Sequence, residues 1–302
     1  MQPDTEAAIT ADLLTHLRSW EGRTDVQQDD LTISPMRRLA ATLDCETVAA
    51  SSSAELPALW HWLYFLPQAP QRELGDDGHP RRGGFLPPVP LPRRMWAGGR
   101  LQWHAALRAG DRLRRVSRIV SVAHKAGRSG ELVFVLVRHE FSRDGTLLLT
   151  EEQDLVYRAP PRSEETARPA PVADTAPPEQ AASAPATWSR TIVPDPVLLF
   201  RYSALTFNSH RIHYDRPYAT GEEGYPGLVV HGPLIATLLA DLARRATPEA
   251  RVTGFSFKAL RPAIDRNPLR LCGEPAADGK SAQLRAEDHE GRVAMQGRIE
   301  FD

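Results

Sequence analysis

Residues 201–241 read RYSALTFNSHRIHYDRPYATGEEGYPGLVVHGPLIATLLAD, and the second half of this stretch decides the fold, because it opens a long apolar helix that leads into a run of strands. Leu234, Leu238, Leu239 and Leu242 recur at helical spacing. Proline is tolerated in a first helical turn, where the N–H it lacks has no intrahelical partner, so His231-Gly232-Pro233 marks the start with Gly232 at or next to the N-cap. Free N–H groups and the helix dipole make that end positive, able to hold an anion or a polarised carbonyl oxygen. A glycine there lets a ligand approach the backbone closely.

Working outward, residues 252–260, 269–273, 281–288 and 293–301 read as strands, with turns near Asp278-Gly279 and Glu290-Gly291. Towards the amino terminus the same pattern recurs over 112–123, 131–141 and 146–157, broken by Gly127 and Gly130 and by the Asp144-Gly145 turn. Both halves therefore end in an antiparallel meander, and the chain is expected to be α+β. Between them lies a stretch rich in proline, alanine and small polar residues without bulky apolar groups, which cannot form a core and favours a semi-extended connection. The expected division is 1–158, a 159–187 linker, and 188–302. In the first half, 6–20 suggests an amphipathic helix, 34–43 a shorter one and 56–66 an aromatic-rich stretch. These three compete for the place the long helix takes in the second half.

With 302 residues and 41% hydrophobic content the chain can bury a core in each half. Its 37 basic and 38 acidic residues leave a net charge of −1, which offers no global electrostatic case for nucleic acid. No apolar run is long enough to span a bilayer, and MQPDTEAAIT is neither a basic-then-apolar signal nor an Arg-rich transit peptide. Cys45 and Cys272 fall in different halves with no redox or metal spacing, so free thiols and a cytoplasmic setting are expected.

The chemistry is concentrated just before the helix. Asn208-Ser209-His210-Arg211-Ile212-His213-Tyr214-Asp215 places two imidazoles, a guanidinium, an amide and a carboxylate within one short segment. A solvated loop with one or two packed histidines is the plain reading, and a metal site using His210, His213 and His231 is another. No cysteine pair or HExxH pattern accompanies these histidines, and no metal is expected.

The segment resembles the motif of the MaoC-like hot-dog hydratases and dehydratases of acyl-CoA thioesters, Asp-x-Asn-Pro-x-His-x-Asp, followed by Tyr-Ala and by Gly-x-x-x-His-Gly at a helix start. The matching positions here are His213, Asp215, Tyr218-Ala219 and Gly227 through Gly232. The motif's leading aspartate falls on Asn208, and its Asn-Pro pair is replaced by His210-Arg211. That variant is similar to the subgroup of fungal-type 3-hydroxyacyl-thioester dehydratases and bacterial 3-methylfumaryl-CoA (mesaconyl-CoA) hydratases.

The resemblance implies a double hot-dog, two antiparallel sheets each wrapped around a central helix. The first unit would be degenerate and the second catalytic, and the double units could pair as a homodimer. It implies a hydro-lyase with no cofactor besides the coenzyme A of its acyl-CoA substrate. His213 would be the general acid/base, Gly232 the N–H donor to the thioester oxygen, and Asn208 the group that orients water, because an amide cannot take up a proton at neutral pH. His210 or Asp215 would assist. His210, Arg211, Asp215, Val230 and His231 would border the substrate, with Arg211 or His210 meeting a second carboxylate. Arg93, Arg94 and Arg261 would meet CoA phosphates. For substrate, a branched dicarboxylic enoyl-CoA (3-methylfumaryl-CoA or itaconyl-CoA, giving citramalyl-CoA) stands first. The alternatives are a fatty-acid dehydratase with a long apolar tunnel and an acyl-CoA thioesterase.

Overall fold

The computed structural model describes residues 9–45, 54–127, 130–159 and 186–302. Ten strands form a single antiparallel sheet: β1 (Thr24–Asp30), β2 (Arg93–Trp103), β3 (Arg112–Gly127), β4 (Gly130–Arg143), β5 (Thr146–Arg158), β6 (Trp188–Ile192), β7 (Val252–Ala259), β8 (Leu269–Pro275), β9 (Ser281–Glu287) and β10 (Val293–Phe301). Their order is β1-β3-β4-β5-β2-β7-β10-β9-β8-β6. Matching β1–β5 to β6–β10 in chain order makes this sequence read the same from either end. The chain is thus two copies of one five-stranded topology, joined edge to edge where Gly98–Gln102 of β2 pairs with Lys258–Gly254 of β7. This is the double hot-dog arrangement. Most of the 159–187 linker lies outside the described residues.

Four α-helices accompany the sheet: α1 (Ala11–Arg18), α2 (Ile33–Thr42), α3 (Pro196–Thr206) and α4 (Gly232–Ala246). α4 is the central helix of the second unit, and every residue from Leu234 through Ala243 is buried. Burying each of its leucines and Ile235 contributes about 2 kcal/mol relative to exposure. Buried Asp241 on this helix is held by Arg190, Arg244 and Arg245 at 3.1, 2.6 and 2.6 Å, as a carboxylate removed from water requires.

The first unit has no such helix among the described residues. Between α2 and β2, where α4 would stand by symmetry, the described residues hold only two short turns, Trp60–Leu63 and Gln71–Glu73. Of the three competing segments, α1 instead lies along β3 with Leu17 in a satellite core of Ile119, Val122, Val133, Val135 and Val137. α2 packs on α3. The volume a central helix would fill is left open, and it becomes part of the cavity described below. Strands β1, β2 and β6 and helix α3 are not evident in the hydropathy pattern. β1 reads TDVQQDD, polar but for the exposed Val26, and is recruited by seven-residue pairing with β3. Cys45 and Cys272 are free and buried. No helix among the described residues is long and apolar enough to cross a membrane.

Candidate active site

A cavity of about 970 Å³ runs between the two units and is lined by Asn208, His210, His213, Val230 and Gly232 from the second and by His79, Arg94, Trp96 and Glu151 from the first. α3 ends at Phe207, whose left-handed backbone (φ 48°) turns the chain into the Asn208 segment. Asn208 Oδ1 accepts the His210 backbone N–H at 3.0 Å, so its amide NH₂ is the group left for a ligand. His213 ends a short helical turn, Arg211–His213. The 227–232 strip is held by Val230 N–H donating to Ala263 O at 2.8 Å and by Leu228 N–H donating to buried Asp265 at 2.8 Å, an acid that also pairs with Arg216.

His213 is buried, and its Nδ1 lies 2.7 Å from Val229 O. A carbonyl oxygen only accepts, so Nδ1 carries the proton and Nε2 presents a lone pair. Burial lowers the His213 pKa to about 4, against the Val229 hydrogen bond and with help from His79, so the ring is a neutral base at physiological pH. His231 stacks on it with ring centroids 3.8 Å apart and bonds Ser203 Oγ through Nε2 at 2.8 Å. His231 thus backs the His213 ring rather than bordering the cavity, a correction to its expected substrate contact.

Gly232 is the first residue of α4 after the His231 N-cap, with Pro233 following. Among the described residues its N–H has no protein acceptor, and a Cβ built there would meet nothing nearer than Met295 Cε at 4.0 Å. The glycine is therefore not required by packing; it keeps cavity space clear beside a free N–H at a helix terminus.

Three more expectations are corrected. Arg211 does not line the cavity: its guanidinium bonds Asp215 at 2.8 Å and lies 4.1 Å over the Tyr218 ring. Asp215, four residues on in the same turn, is spent on that pair and on the Tyr218 N–H. Arg93 is likewise taken by Glu223 at 3.1 Å and does not line the cavity. Arg94 and Arg261 do line it. Arg94 sits beside Tyr157 and close enough to His79 and His210 to lower both their pKa values, and no Asp or Glu among the described residues pairs with it.

The first unit contributes more than the sequence suggests. The loop carrying Asp77, Gly78 and His79 docks on the Asn208 segment: Arg211 N–H donates to Asp77 O at 2.9 Å, and Ser209 Oγ donates to Gly78 O. A Cβ on Gly78 (φ +86°) would lie 1.8 Å from Ser209 O, so only glycine permits this contact. His79 and His210 come to 4.1 Å, and His210 to 5.3 Å from His213. Deeper in, Glu151 accepts from His61 (2.9 Å), Trp62 (3.0 Å) and Gln153 (2.8 Å). Those hydrogen bonds outweigh its burial and hold its pKa at about 2. His139 bonds Ser117 at 2.8 Å, and burial drops it to about 4. Only the Asp-Gly turn signal with a histidine in it hinted at the first of these groups.

The hydroxyacyl-thioester dehydratase type 2 family model matches residues 59–265. The chain belongs to that family. Mesaconyl-C(4)-CoA hydratase of Chloroflexus aurantiacus is 48% identical over 94% of this chain and 97% of its own. The mitochondrial hydroxyacyl-thioester dehydratase type 2 of Schizosaccharomyces pombe is 28% identical over 82% of this chain and 89% of its own. Among solved structures, the MaoC-like dehydratase of Phytophthora capsici superposes with a TM-score of 0.65 at 14% identity, covering 96% and 98% of the two chains, a likeness of fold. The protein is a MaoC-like double hot-dog hydro-lyase.

Proposed function

We propose that this enzyme adds water to the double bond of a short branched dicarboxylic enoyl-CoA, 3-methylfumaryl-CoA or itaconyl-CoA, giving citramalyl-CoA. The observation that carries the reading is the 48% identity to a mesaconyl-C(4)-CoA hydratase over nearly the whole of both chains. The cavity supports it. A short dicarboxylic acyl group calls for polar groups at its far end, and the inner wall of the first unit presents His61, Arg115, Ser117, His139, Glu151 and Gln153 among apolar residues such as Trp62, Phe65, Phe85 and Phe141. Arg94, without a carboxylate partner among the described residues, is the cation we assign to the substrate's second carboxylate in place of Arg211. Arg261, at the cavity rim on the loop after β7, is assigned to CoA.

In the reaction as proposed for 3-methylfumaryl-CoA, whose double bond is conjugated with the thioester, the thioester oxygen accepts the Gly232 N–H, whose effect is strengthened by the α4 terminus, and the β-carbon becomes electrophilic. The Asn208 amide holds the water. His213 Nε2 takes a proton from it as the oxygen bonds to the β-carbon, and the electron pair of the double bond moves into the enolate. A proton returned to the α-carbon completes the addition. Coenzyme A enters as part of the substrate, and no other cofactor is needed.

The test is a panel assay of purified protein on crotonyl-, 3-methylfumaryl- and itaconyl-CoA and a long-chain enoyl-CoA, following the enoyl-thioester absorbance with free thiol measured in parallel. Loss of the conjugated double bond without thiol release, fastest on a dicarboxylic substrate, is expected. Preference for the long chain would favour the fatty-acid dehydratase instead, and thiol release would make the protein a thioesterase.

A further inference from the structure

A hydration needs a proton taken from water and a proton given to carbon, and the family motif assigns these to a histidine and an aspartate. Here the aspartate position holds Asn208, which has no proton to exchange, so the second unit alone leaves the acid/base pair incomplete. The missing function has a candidate on the other side of the same cavity.

His79 Nδ1 lies 3.0 Å from Asp77 Oδ2, and the Asp77 Oδ1 accepts the His79 backbone N–H at 2.9 Å. Asp77 is an acceptor only, so Nδ1 carries the proton and Nε2 is the free lone pair, with no protein partner among the described residues. An imidazole fixed in one tautomer by a half-buried carboxylate is an arrangement that general acid/base catalysis uses. The dyad is built in: Gly75 N–H bonds His79 O at 2.8 Å, Leu74 pairs with Pro80, and the loop is sewn to Ser209 and Arg211. The last contacts reach the very segment that carries Asn208 and His213, which locks the first unit's loop to the second unit's motif.

We propose that His79, oriented by Asp77, is a second catalytic proton-transfer residue of this enzyme, taking the part that the motif's aspartate plays elsewhere. In the addition, water gives its oxygen to the β-carbon and one proton to an imidazole Nε2. The α-carbon then receives one proton, and two imidazoles that line the same cavity, His213 and His79, divide these steps. Asp77 acts through His79 and is a positioning residue.

The groups facing His79 are Asp77 in its own loop, Arg82 just after it, Arg94 on β2, and His210 and His213 across the cavity. Burial and Arg94 lower the His79 pKa while Asp77 raises it. Asp77, for its part, is held well below the usual carboxylate range because the His79 hydrogen bonds outweigh its burial. His79 is therefore neutral at rest, and the imidazolium formed on proton uptake has an anion beside it that His213 lacks.

The inference rests on hydro-lyase chemistry and not on the choice of acyl group, so it is tested on crotonyl-CoA or whichever enoyl-CoA the wild type turns over best. His79→Ala is expected to lower kcat by about a hundredfold or more with little change in KM, and added imidazole to restore part of it. Asp77→Asn is expected to lower kcat by a smaller factor, to shift the acid limb of the pH–rate profile, and to abolish the low-field N–H proton resonance of a carboxylate-bound imidazole. His79→Gln is the companion variant: it can still donate a hydrogen bond to Asp77 but cannot carry the proton. Activity in His79→Gln within about threefold of wild type, with the acid limb unmoved, would overturn the proposal. Asp77, His79 and His210 also bring their ligand atoms within 4.8 Å of one another. Activity lost on chelation and regained with a divalent cation would therefore replace the proton-transfer role with a metal one.

Discussion

Replacing Gly232 with alanine separates the fold from the chemistry at one carbon atom. The added Cβ has no neighbour closer than Met295 Cε at 4.0 Å, and the position opens α4 with ordinary backbone angles, so the protein has no steric reason to lose stability. Alanine is the better helix former, and the change is worth up to about 1 kcal/mol in favour of the variant. For a chain of this size that is a rise in Tm of no more than about 4 °C. The empty volume around that Cβ is the cavity between the two units, however. A thioester oxygen has to reach about 3 Å from the Gly232 nitrogen, and a methyl group beside it keeps the carbonyl away. Losing one such donor costs roughly 10²–10³ in kcat, about 3–4 kcal/mol of transition-state stabilisation. Expected, then, is a Gly232→Ala protein that melts at or slightly above the wild-type temperature in calorimetry and hydrates crotonyl-CoA at least about a hundredfold more slowly. A variant with unchanged melting and more than about a third of wild-type kcat would refute the assignment of this N–H to the thioester oxygen.

Gly78→Ala should behave in the opposite way: its Cβ would sit 1.8 Å from Ser209 O at a φ of +86°, so the Asp77–His79 loop must leave the Asn208 segment, and both Tm and activity are expected to fall. His213→Ala should lower kcat by at least about a hundredfold with KM little changed, as steady-state kinetics will show. Asn208→Asp should remain partly active while Asn208→Leu is nearly inactive; equal activity of the two would end the water-positioning role. Arg94→Met should raise KM for 3-methylfumaryl-CoA far more than for crotonyl-CoA, by the roughly 1.5–3 kcal/mol of a charge-assisted hydrogen bond, while Arg211→Met affects both alike and weakly. Acid stability follows from two buried histidines, His139 and His213, whose pKa values fall from 6.5 in the unfolded chain to about 4 in the folded one. The unfolded state binds more protons in that window, so stability present at neutral pH is lost as pH falls from 6.5 towards 4, by about 3 kcal/mol per histidine at about 1.4 kcal/mol per unit. Melting temperatures measured between pH 7 and 5 should drop, and less so in His139→Gln; a flat profile would mean that these rings are solvated.

Much of the second unit was legible along the chain because its signals are local. Helical spacing of Leu234, Leu238, Leu239 and Leu242, the His-Gly-Pro start, and strands separated by Asp-Gly and Glu-Gly turns all lie within a few residues of the structure they specify. The His213 and Gly232 site is likewise contained in one segment, so motif and geometry coincide. Arg211 was expected at the substrate because it is the guanidinium inside the motif segment. In the short turn that forms there, residues four apart meet, and Asp215 captures the guanidinium.

Tertiary structure alone decided the rest. β1, with its TDVQQDD pattern, has no hydrophobic alternation and becomes a strand only because β3 offers it an edge. The cavity reaches into the first unit where the described residues hold only two short turns in the place of α4, a difference no composition reveals. Asp77 and His79 stand some 130 residues from the motif they face, brought there by Gly78 pressing against Ser209 O. Local sequence determines which segments can be helix or strand and which side chains can move protons. Which of those side chains share one cavity depends on contacts between distant segments, whose free energy is realised only when both units are folded against each other.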